Sequence, residues 1–209
     1  MKTVLCYGDS NTWGADPAIM GNRFDLDVRW PGVLRNALGD GYWVIEEGLG
    51  GRTTVWDDPI EGYKNGKEYL TPCLNTHRPL DLVTVMLGTN DLKKRFSLSA
   101  YDIAQGVGVL VKMIQQSECG PNNSAPKVLL MCPPPVAKLT NYAEMFEDSV
   151  PRSKRLAEHY QRVAQELGCE FLNAGSVMVS SDLDGIHFEA GEHQKLGLAV
   201  AKEIRRILG

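Results

Sequence analysis

The sequence predicts an α/β protein, a three-layer α/β/α sandwich around a central parallel sheet of about five strands. Two observations lead to this fold class. Short apolar runs alternate along the chain with longer stretches of helical periodicity. The most hydrophobic run, Asp81–Leu87, is apolar almost throughout, which is typical of a parallel strand covered on both faces.

Each predicted strand is one of the short apolar runs. These runs are Thr3–Tyr7, Trp43–Glu46, Leu80–Leu87, Lys127–Cys132 and, with a weaker pattern, Glu170–Leu172. Right-handed crossovers between successive strands give a flavodoxin-like arrangement. Sites in such sheets gather beyond the carboxyl ends of the strands, so we expect functional residues directly after strands.

Three stretches have helical periodicity. Ser99 is placed to cap the first helix, with Asp102 three residues later. Pro151 suits the first turn of the second helix, and the third closes the chain. Their apolar faces are Ile103, Val107, Leu110, Val111 and Ile114, then Leu156, Tyr160, Val163, Ala164 and Leu167, then Leu196, Val200, Ile204 and Ile207.

The length and composition indicate one domain over residues 1–209. No repeat or linker divides the chain, and 43% hydrophobic with 23% charged residues is ordinary for a globular protein. The net charge of −4 with scattered basic residues argues against a nucleic-acid partner. No apolar run approaches the roughly 20 residues that span a bilayer, so no membrane partner is expected.

Cysteine usage and the N-terminus favour the cytoplasm. The five cysteines are odd in number and widely spaced, with no Cys-x-x-Cys pair, so a disulfide framework is not expected. The segment Met1–Tyr7 has one lysine and reaches Gly8-Asp9 too soon for a signal peptide.

Ser10 is the candidate nucleophile. It follows the first predicted strand in the block Gly8-Asp9-Ser10, where the glycine allows a sharp turn that leaves the hydroxyl free at the sheet edge. The same tripeptide is also an ordinary turn or helix cap. A serine hydroxyl is a poor nucleophile at neutral pH, so this interpretation requires a base elsewhere in the chain.

His187 is the candidate base among four histidines. Asp184 precedes it by three residues across a glycine, so a tight turn can bring the carboxylate to one imidazole nitrogen and leave the other facing Ser10. An Asx-turn entering the last helix is the structural alternative. The other histidines are expected in structural or exposed positions, which are a cap or loop for His77, an amphipathic helix for His159 and the surface for His193.

Two further blocks can stabilise a developing negative charge. Asn90 follows the most hydrophobic strand in Gly88-Thr89-Asn90-Asp91, and its amide can donate to an oxyanion. Gly50-Gly51 follows the second strand, where paired glycines let a backbone N–H approach a ligand closely. A turn residue and a flexible loop are the structural alternatives for these two blocks.

The four blocks, in this order, resemble the SGNH/GDSL hydrolase family. Its bacterial arylesterase and acyltransferase branch is the most similar, through Val28–Trp30, Gly48–Thr54, Pro133–Pro135 and Asp184–Phe188. The resemblance implies a serine esterase with Ser10 as nucleophile and Asp184–His187 as its acid–base pair. The implied oxyanion hole consists of the Ser10 N–H, the Gly51 N–H (with Gly50 as the alternative) and the Asn90 side chain.

The implied substrate is a small-molecule short-chain acyl ester, such as an acetyl or aryl ester, and acyl transfer to alcohols is a further possibility. Carbohydrate acetyl esters are the main rival. Asn11, Thr12 and Trp13 are the expected substrate-binding residues. Asp9 and Arg52 are expected to hold the blocks in place.

Two long segments, Arg52–Leu70 and Pro133–Asp148, are expected to build the pocket walls and a contact in a homo-oligomer, which the resemblance also implies. The aromatic residues near the rim could instead fill small cores beneath these segments. They are Trp13, Trp56, Tyr63, Tyr69 and Phe146.

Other functional classes fit less well. No Gly-x-Ser-x-Gly block supports an α/β-hydrolase, and no Pro-Cys-x-x-Cys accompanies His187-Phe188-Glu189 as in zinc deaminases. The set His187, Glu189, Glu192 and His193 matches no common metal-site spacing, so neither metal nor cofactor is expected. A non-catalytic flavodoxin-like binding module remains as the alternative from a different class.

Overall fold

A five-stranded sheet lies at the centre of the computed structural model, which describes residues 1–209. The strands are β1 (Lys2–Gly8), β2 (Tyr42–Gly48), β3 (Leu82–Met86), β4 (Lys127–Cys132) and β5 (Glu170–Asn173). All pairs are parallel, in the order β2-β1-β3-β4-β5. This is the flavodoxin-like order, and it confirms the predicted α/β fold class.

Seven α-helices connect and follow the strands. They are α1 (Ser10–Trp13), α2 (Trp30–Leu38), α3 (Gly66–His77), α4 (Ala100–Gln115), α5 (Ser149–Ser153), α6 (Leu156–Leu167) and α7 (Ala190–Leu208). None of them is both long and apolar enough to cross a membrane.

The helices cover both faces of the sheet because side chains alternate along each strand. Leu5 and Tyr7 of β1 join a buried cluster with α3, α4 and α6. Val4 and Cys6 alternate with these two residues along β1, and they join a second cluster with α2 and α7. The three layers follow directly from this alternation.

The register of the central strands sets the position of the functional residues. Gly8 at the end of β1 pairs with Gly48 of β2 on one side and with Met86 of β3 on the other. The three carboxyl ends are therefore level, and the segments that follow them share one edge of the sheet.

The predicted helix at Pro151 is in fact two helices. Pro151 lies in α5, and α6 begins only at Leu156. The Ser153 hydroxyl donates to the Val150 carbonyl (2.8 Å) and accepts from the Val136 N–H (3.0 Å). These side-chain bonds compete with the backbone hydrogen bonds that would continue the helix. Helix α5 therefore ends at Ser153, beside the segment that carries Val136.

Helix α3 was not predicted, and it begins inside the segment Arg52–Leu70. Asn65 caps it by accepting from the Lys67 N–H (3.0 Å). Its buried apolar face is short, with Leu70, Cys73 and Leu74. By contrast, α4 has the predicted capping box of Ser99 and Asp102.

Candidate active site

Ser10, His187 and Asp184 form a continuous chain of hydrogen bonds. The His187 Nε2 atom lies 2.9 Å from the Ser10 Oγ atom. On the other side of the ring, Nδ1 lies 2.6 Å from Asp184 Oδ2. The structure thus brings together, in one hydrogen-bonded chain, the three residues predicted to be the nucleophile, the base and the orienting acid.

The local sequence from Asp184 to His187 builds half of this arrangement. Asp184 Oδ1 accepts from the backbone N–H groups of Ile186 (2.8 Å) and His187 (2.9 Å), and Oδ2 remains for the imidazole. Gly185 makes the turn possible with a φ of +88°, and a Cβ there would lie 2.8 Å from the Lys138 carbonyl. The Asx-turn and the acid–base pair are therefore the same structure.

Ser10 is the first residue of the short helix α1, directly beyond β1. Asp9 caps this helix by accepting from the Asn11 N–H (2.9 Å). The Asn11 side chain in turn donates to the Ile186 carbonyl at 3.3 Å. This contact ties the nucleophile segment to the segment that carries His187.

Three backbone N–H groups remain free around the Ser10 hydroxyl. Neither the Ser10 N–H nor the Gly51 N–H donates a hydrogen bond within the protein. Gly51 has a φ of +81°, a conformation that favours glycine. The Gly50 N–H is likewise free, and both glycines face the same cavity as Ser10, so the choice between them stays open.

The Asn90 amide lies in the same cavity and is held from behind. Its Nδ2 donates to the Arg52 carbonyl at 3.1 Å and more weakly to Asp9 Oδ2 at 3.4 Å. The Arg52 Nη1 atom donates to the Gly8 carbonyl at 2.9 Å. Asp9 and Arg52 thereby fasten the three segments after β1, β2 and β3 to one another.

Burial and hydrogen bonding shift the pKa values of the two carboxyl groups of the site, Asp9 and Asp184, in opposite directions. Burial alone would raise the pKa of Asp184, but hydrogen bonds from the His187 ring and from two backbone N–H groups hold it below its usual value. Burial raises the pKa of Asp9 to about 6, against hydrogen bonds from Asn11 and the charges of His187 and Arg52. Asp184 is therefore ionised across the physiological pH range.

The cavity in front of Ser10 has a volume of about 320 Å³. Six of its thirteen lining residues are apolar, and the predicted Trp13 and Phe146 are among them. The Tyr142 ring lies edge-on to the His187 imidazole, with ring centroids 5.9 Å apart. The full lining consists of Ser10, Trp13, Ala15, Gly50, Gly51, Glu61, Asn90, Lys93, Tyr142, Met145, Phe146, Ile186 and His187.

Two of the expected substrate-binding residues do not reach this cavity. Asn11 and Thr12 are buried beneath Ser10 and are absent from its lining. Thr12 packs against β1, where a Cβ on Gly8 would lie 2.0 Å from its Oγ1. Their position one and two residues after Ser10 places them in the protein interior beneath the predicted nucleophile.

None of the other three histidines lines the cavity that contains Ser10. The prediction made for His193 is wrong. His193 was expected at the surface, but it is fully buried, where its Nδ1 accepts from the Trp30 N–H at 3.2 Å. Burial lowers the pKa of His193 to about 4. His159 is buried in α6, and His77, in the last turn of α3, contacts Glu47.

The imidazole and carboxylate groups between His187 and His193 do not form a cluster of potential metal ligands. Glu189 accepts from the Ser181 hydroxyl (2.7 Å), and Glu192 accepts from the Val179 N–H (3.0 Å). His187 itself is committed to Asp184 and Ser10.

A buried ionic network in the cavity wall was missed by the sequence interpretation. Lys93 is only 2% exposed, and its Nζ atom lies 2.6 Å from Glu61 Oε1 and 3.4 Å from Asp58 Oδ2. Arg95 also contacts the Asp58 carboxylate. Glu61 is more than thirty residues from Lys93 in sequence, so no local pattern links them. The one available signal was that Lys93 follows Asn90 by only three residues in the sequence.

Comparison with known proteins agrees with this geometry. Residues 6–194 match the GDSL-like Lipase/Acylhydrolase family. The chain belongs to this family. It is also similar to a solved aryl esterase from M. smegmatis, with 43% identity, a TM-score of 0.95 and full coverage of both chains.

Two further relatives are named for carbohydrate esters. A carbohydrate acetylesterase from Sinorhizobium meliloti is 40% identical, with a TM-score of 0.95 and full coverage of both chains. An acetylxylan esterase from Xylanibacter ruminicola is 26% identical over 97% of this chain. The chain spans 43% of the length of that acetylxylan esterase.

Proposed function

We propose that this protein is a carboxylic ester hydrolase that cleaves short-chain acyl esters through an acyl-enzyme on Ser10. The observation that carries the proposal is the hydrogen-bonded chain from Ser10 through His187 to Asp184, opening onto a cavity with unpartnered N–H groups. Membership of the GDSL-like family and the similarity to esterases support the same chemistry.

In the first step, the Ser10 Oγ attacks the ester carbonyl carbon while His187 Nε2 takes the hydroxyl proton. Asp184 fixes the imidazole tautomer and stabilises the imidazolium that forms. The carbonyl oxygen becomes negative and accepts from the N–H groups of Ser10 and Gly51 and from the Asn90 amide. The longer Asn90 contact, 3.4 Å to Asp9, is the one an oxyanion would replace.

In the second step, the tetrahedral intermediate collapses and His187 returns the proton to the leaving alcohol. Water then enters, loses a proton to His187 and attacks the acyl-enzyme, which releases the acid and restores Ser10. An alcohol in place of water would give a new ester. We propose this transfer as a side reaction, supported by the apolar side chains that line the cavity around Ser10.

The size of the cavity supports a preference for small acyl groups. At about 320 Å³ it is at the low end for ligand sites, and Trp13, Tyr142 and Phe146 restrict its width. We expect hydrolysis of p-nitrophenyl acetate and butyrate to exceed that of the octanoate in kcat/KM. A preference for octanoate would contradict the short-acyl proposal, and activity retained by Ser10→Ala would contradict the nucleophile.

A carbohydrate acetyl ester is the second candidate substrate. The pair Glu61–Lys93 brings a carboxylate and an ammonium group to the cavity wall, where they could bind sugar hydroxyls. Two relatives named for carbohydrate esters favour this reading. Acetate release from acetylated xylose, compared with phenyl acetate, tests it. Equal kcat/KM for the wild type and Glu61→Gln on the sugar ester would argue against it.

We also propose a homo-oligomer. The segment between β2 and α3 exposes Ile60 (75%) and the whole of Tyr63, two large side chains that a subunit contact could cover. Light scattering at micromolar concentration should give a mass above that of one chain. A monomer at all concentrations would refute this proposal.

A further inference from the structure

A thiol, an imidazole and a carboxylate converge outside the catalytic cavity. Cys73 and His77 lie four residues apart on α3 and therefore share one face of that helix. Glu47, near the carboxyl end of β2, faces them. One ligand atom from each residue lies within 4.8 Å of the other two. None of the three lines the cavity that contains Ser10.

We propose that Glu47, Cys73 and His77 bind a divalent metal ion of the zinc class. Sulfur, nitrogen and carboxylate oxygen are the three ligand types that Zn²⁺ takes in proteins, and three protein ligands leave a fourth position for water. Bond lengths of about 2.0–2.3 Å place tetrahedral ligands roughly 3.3–3.7 Å apart. His77 Nε2 and Glu47 Oε1 are 2.8 Å apart, so these two side chains would have to separate by somewhat less than about 1 Å to bind a tetrahedral ion.

The thiol is available for this role. Cys119 and Cys132 donate through Sγ to backbone carbonyls, whereas Cys73 Sγ has no hydrogen-bond partner. Burial, together with the charge of Glu47, raises the pKa of Cys73 to about 12, so without metal it is a thiol. On binding, the S–H bond breaks, an Sγ–metal bond forms and one proton passes to solvent.

Access and charge also fit a cation. The side chains of Glu47 and His77 are 19% and 21% exposed. Glu47 lines a second cavity of about 1000 Å³, which gives a path from solvent. Its charged lining is Glu47, Arg52, Asp57, Asp58 and Glu68, one base against four acids. With Cys73 ionised, the cluster and the nearby Arg52 carry a net negative charge, which bound Zn²⁺ compensates.

Metal binding would join α3 to the end of β2. The chain continues from Glu47 through Gly48 to the segment that carries Gly51, so the ion would fix the base of that segment. The chemistry at Ser10 needs no metal, so the expected effects are tighter folding and thiol coordination. A merely structural His77–Glu47 pair would show neither.

The test titrates purified full-length protein, reduced and freed of metal by a chelator, with Co²⁺ and then Zn²⁺. We expect one equivalent of Co²⁺ to bind with release of one proton and with a sulfur-to-cobalt charge-transfer band in the near-ultraviolet. Zn²⁺ should then displace Co²⁺ and abolish the band without further proton release. Zn²⁺ at a hundredfold excess over Kd should raise the melting temperature by roughly 5–10 °C.

Matched variants locate the site. Cys73→Ser should abolish the charge-transfer band, and His77→Gln, at a half-buried position that should tolerate glutamine, should weaken Zn²⁺ binding by at least about tenfold. Cys169→Ser and His159→Gln remove the same chemical groups elsewhere and should keep wild-type binding. No saturable Co²⁺ binding by the wild type, or a band that persists in Cys73→Ser, overturns the proposal. Should Cys73→Ser fail to fold, unchanged Zn²⁺ affinity in His77→Gln overturns it equally.

Discussion

Two histidine–carboxylate pairs lie near the carboxyl edge of the sheet, and they differ in the third group. In the first, His187 contacts Asp184 at 2.6 Å and turns its free nitrogen to the Ser10 hydroxyl. In the second, His77 contacts Glu47 at 2.8 Å and lies beside the Cys73 thiol. A thiol is the stronger intrinsic nucleophile, yet the second pair lacks the features of an acyl-transfer site.

The difference lies in what surrounds each histidine–carboxylate pair, and the proposed mechanism requires more than the pair alone. The free nitrogen of His187 accepts from a hydroxyl that faces a cavity with unpartnered N–H groups. The Nε2 atom of His77 is occupied by Glu47, and burial keeps the Cys73 thiol protonated. Nucleophile access, a free base nitrogen and oxyanion donors must coincide, and they coincide only around Ser10.

Removing the nucleophile should have the largest effect. Ser10→Ala leaves His187 with no group to deprotonate, so kcat on p-nitrophenyl acetate should fall by roughly 10⁶-fold. Stopped assays with a chelator present measure the residual rate. Loss of only a few fold would show that another group, such as Cys73, supplies the nucleophile.

The paired acid substitutions test the comparison directly. Asp184→Asn should lower kcat by about 10⁴-fold, because the amide no longer holds the required tautomer of His187. Glu47→Gln disturbs the second pair in the same way, and its kcat should stay within about tenfold of the wild type, since that pair touches no reacting atom. Similar losses in both variants would mean that the second pair also takes part in acyl transfer.

The oxyanion donor should have the next largest effect. Asn90→Ala removes the side-chain donor but leaves both backbone N–H groups, so kcat should fall by roughly 10²–10³-fold with little change in KM. Thr89, next to it and outside the cavity lining, provides the control variant Thr89→Ser. Near-native turnover of Asn90→Ala would remove Asn90 from the oxyanion hole.

Short blocks at strand ends could be predicted because chemistry and topology agree there. The Asp184–His187 turn is local, and the level ends of β1 and β3 bring Ser10 and Asn90 to one edge. The family match confirms the predicted family resemblance, and the observed parallel sheet confirms the predicted α/β fold. Local spacing was sufficient wherever the partners were close in sequence or followed neighbouring strands.

Other parts depend on contacts between distant segments and were not predicted. Helix α3 has a short apolar face interrupted by Pro72, so its periodicity is weak. The Lys93–Glu61 ion pair joins two segments with no shared pattern. His193 looks like an exposed residue at a helix start, but α7 packs against α2 and buries it.

A third histidine, without a carboxylate, extends the comparison to stability. His193 has a pKa of about 4 in the folded protein, below the usual 6.5, since burial disfavours its charged form. Between these values the unfolded chain binds the additional proton, so the free energy of unfolding falls as the pH drops through this window. From pH 7 to pH 5 the loss from this group should be about 2 kcal/mol.

His193→Asn tests this linkage, because the asparagine Oδ1 can accept from the Trp30 N–H in place of Nδ1. Urea unfolding at pH 7 and pH 5 should show that the variant loses less stability on acidification than the wild type, even where its stability at pH 7 is lower. The matched control His159→Gln removes another buried histidine whose ring nitrogens have no partner. An identical pH dependence in His193→Asn and the wild type would show that His193 becomes protonated without unfolding. Burial without a carboxylate would then be insufficient to keep a histidine neutral in this protein.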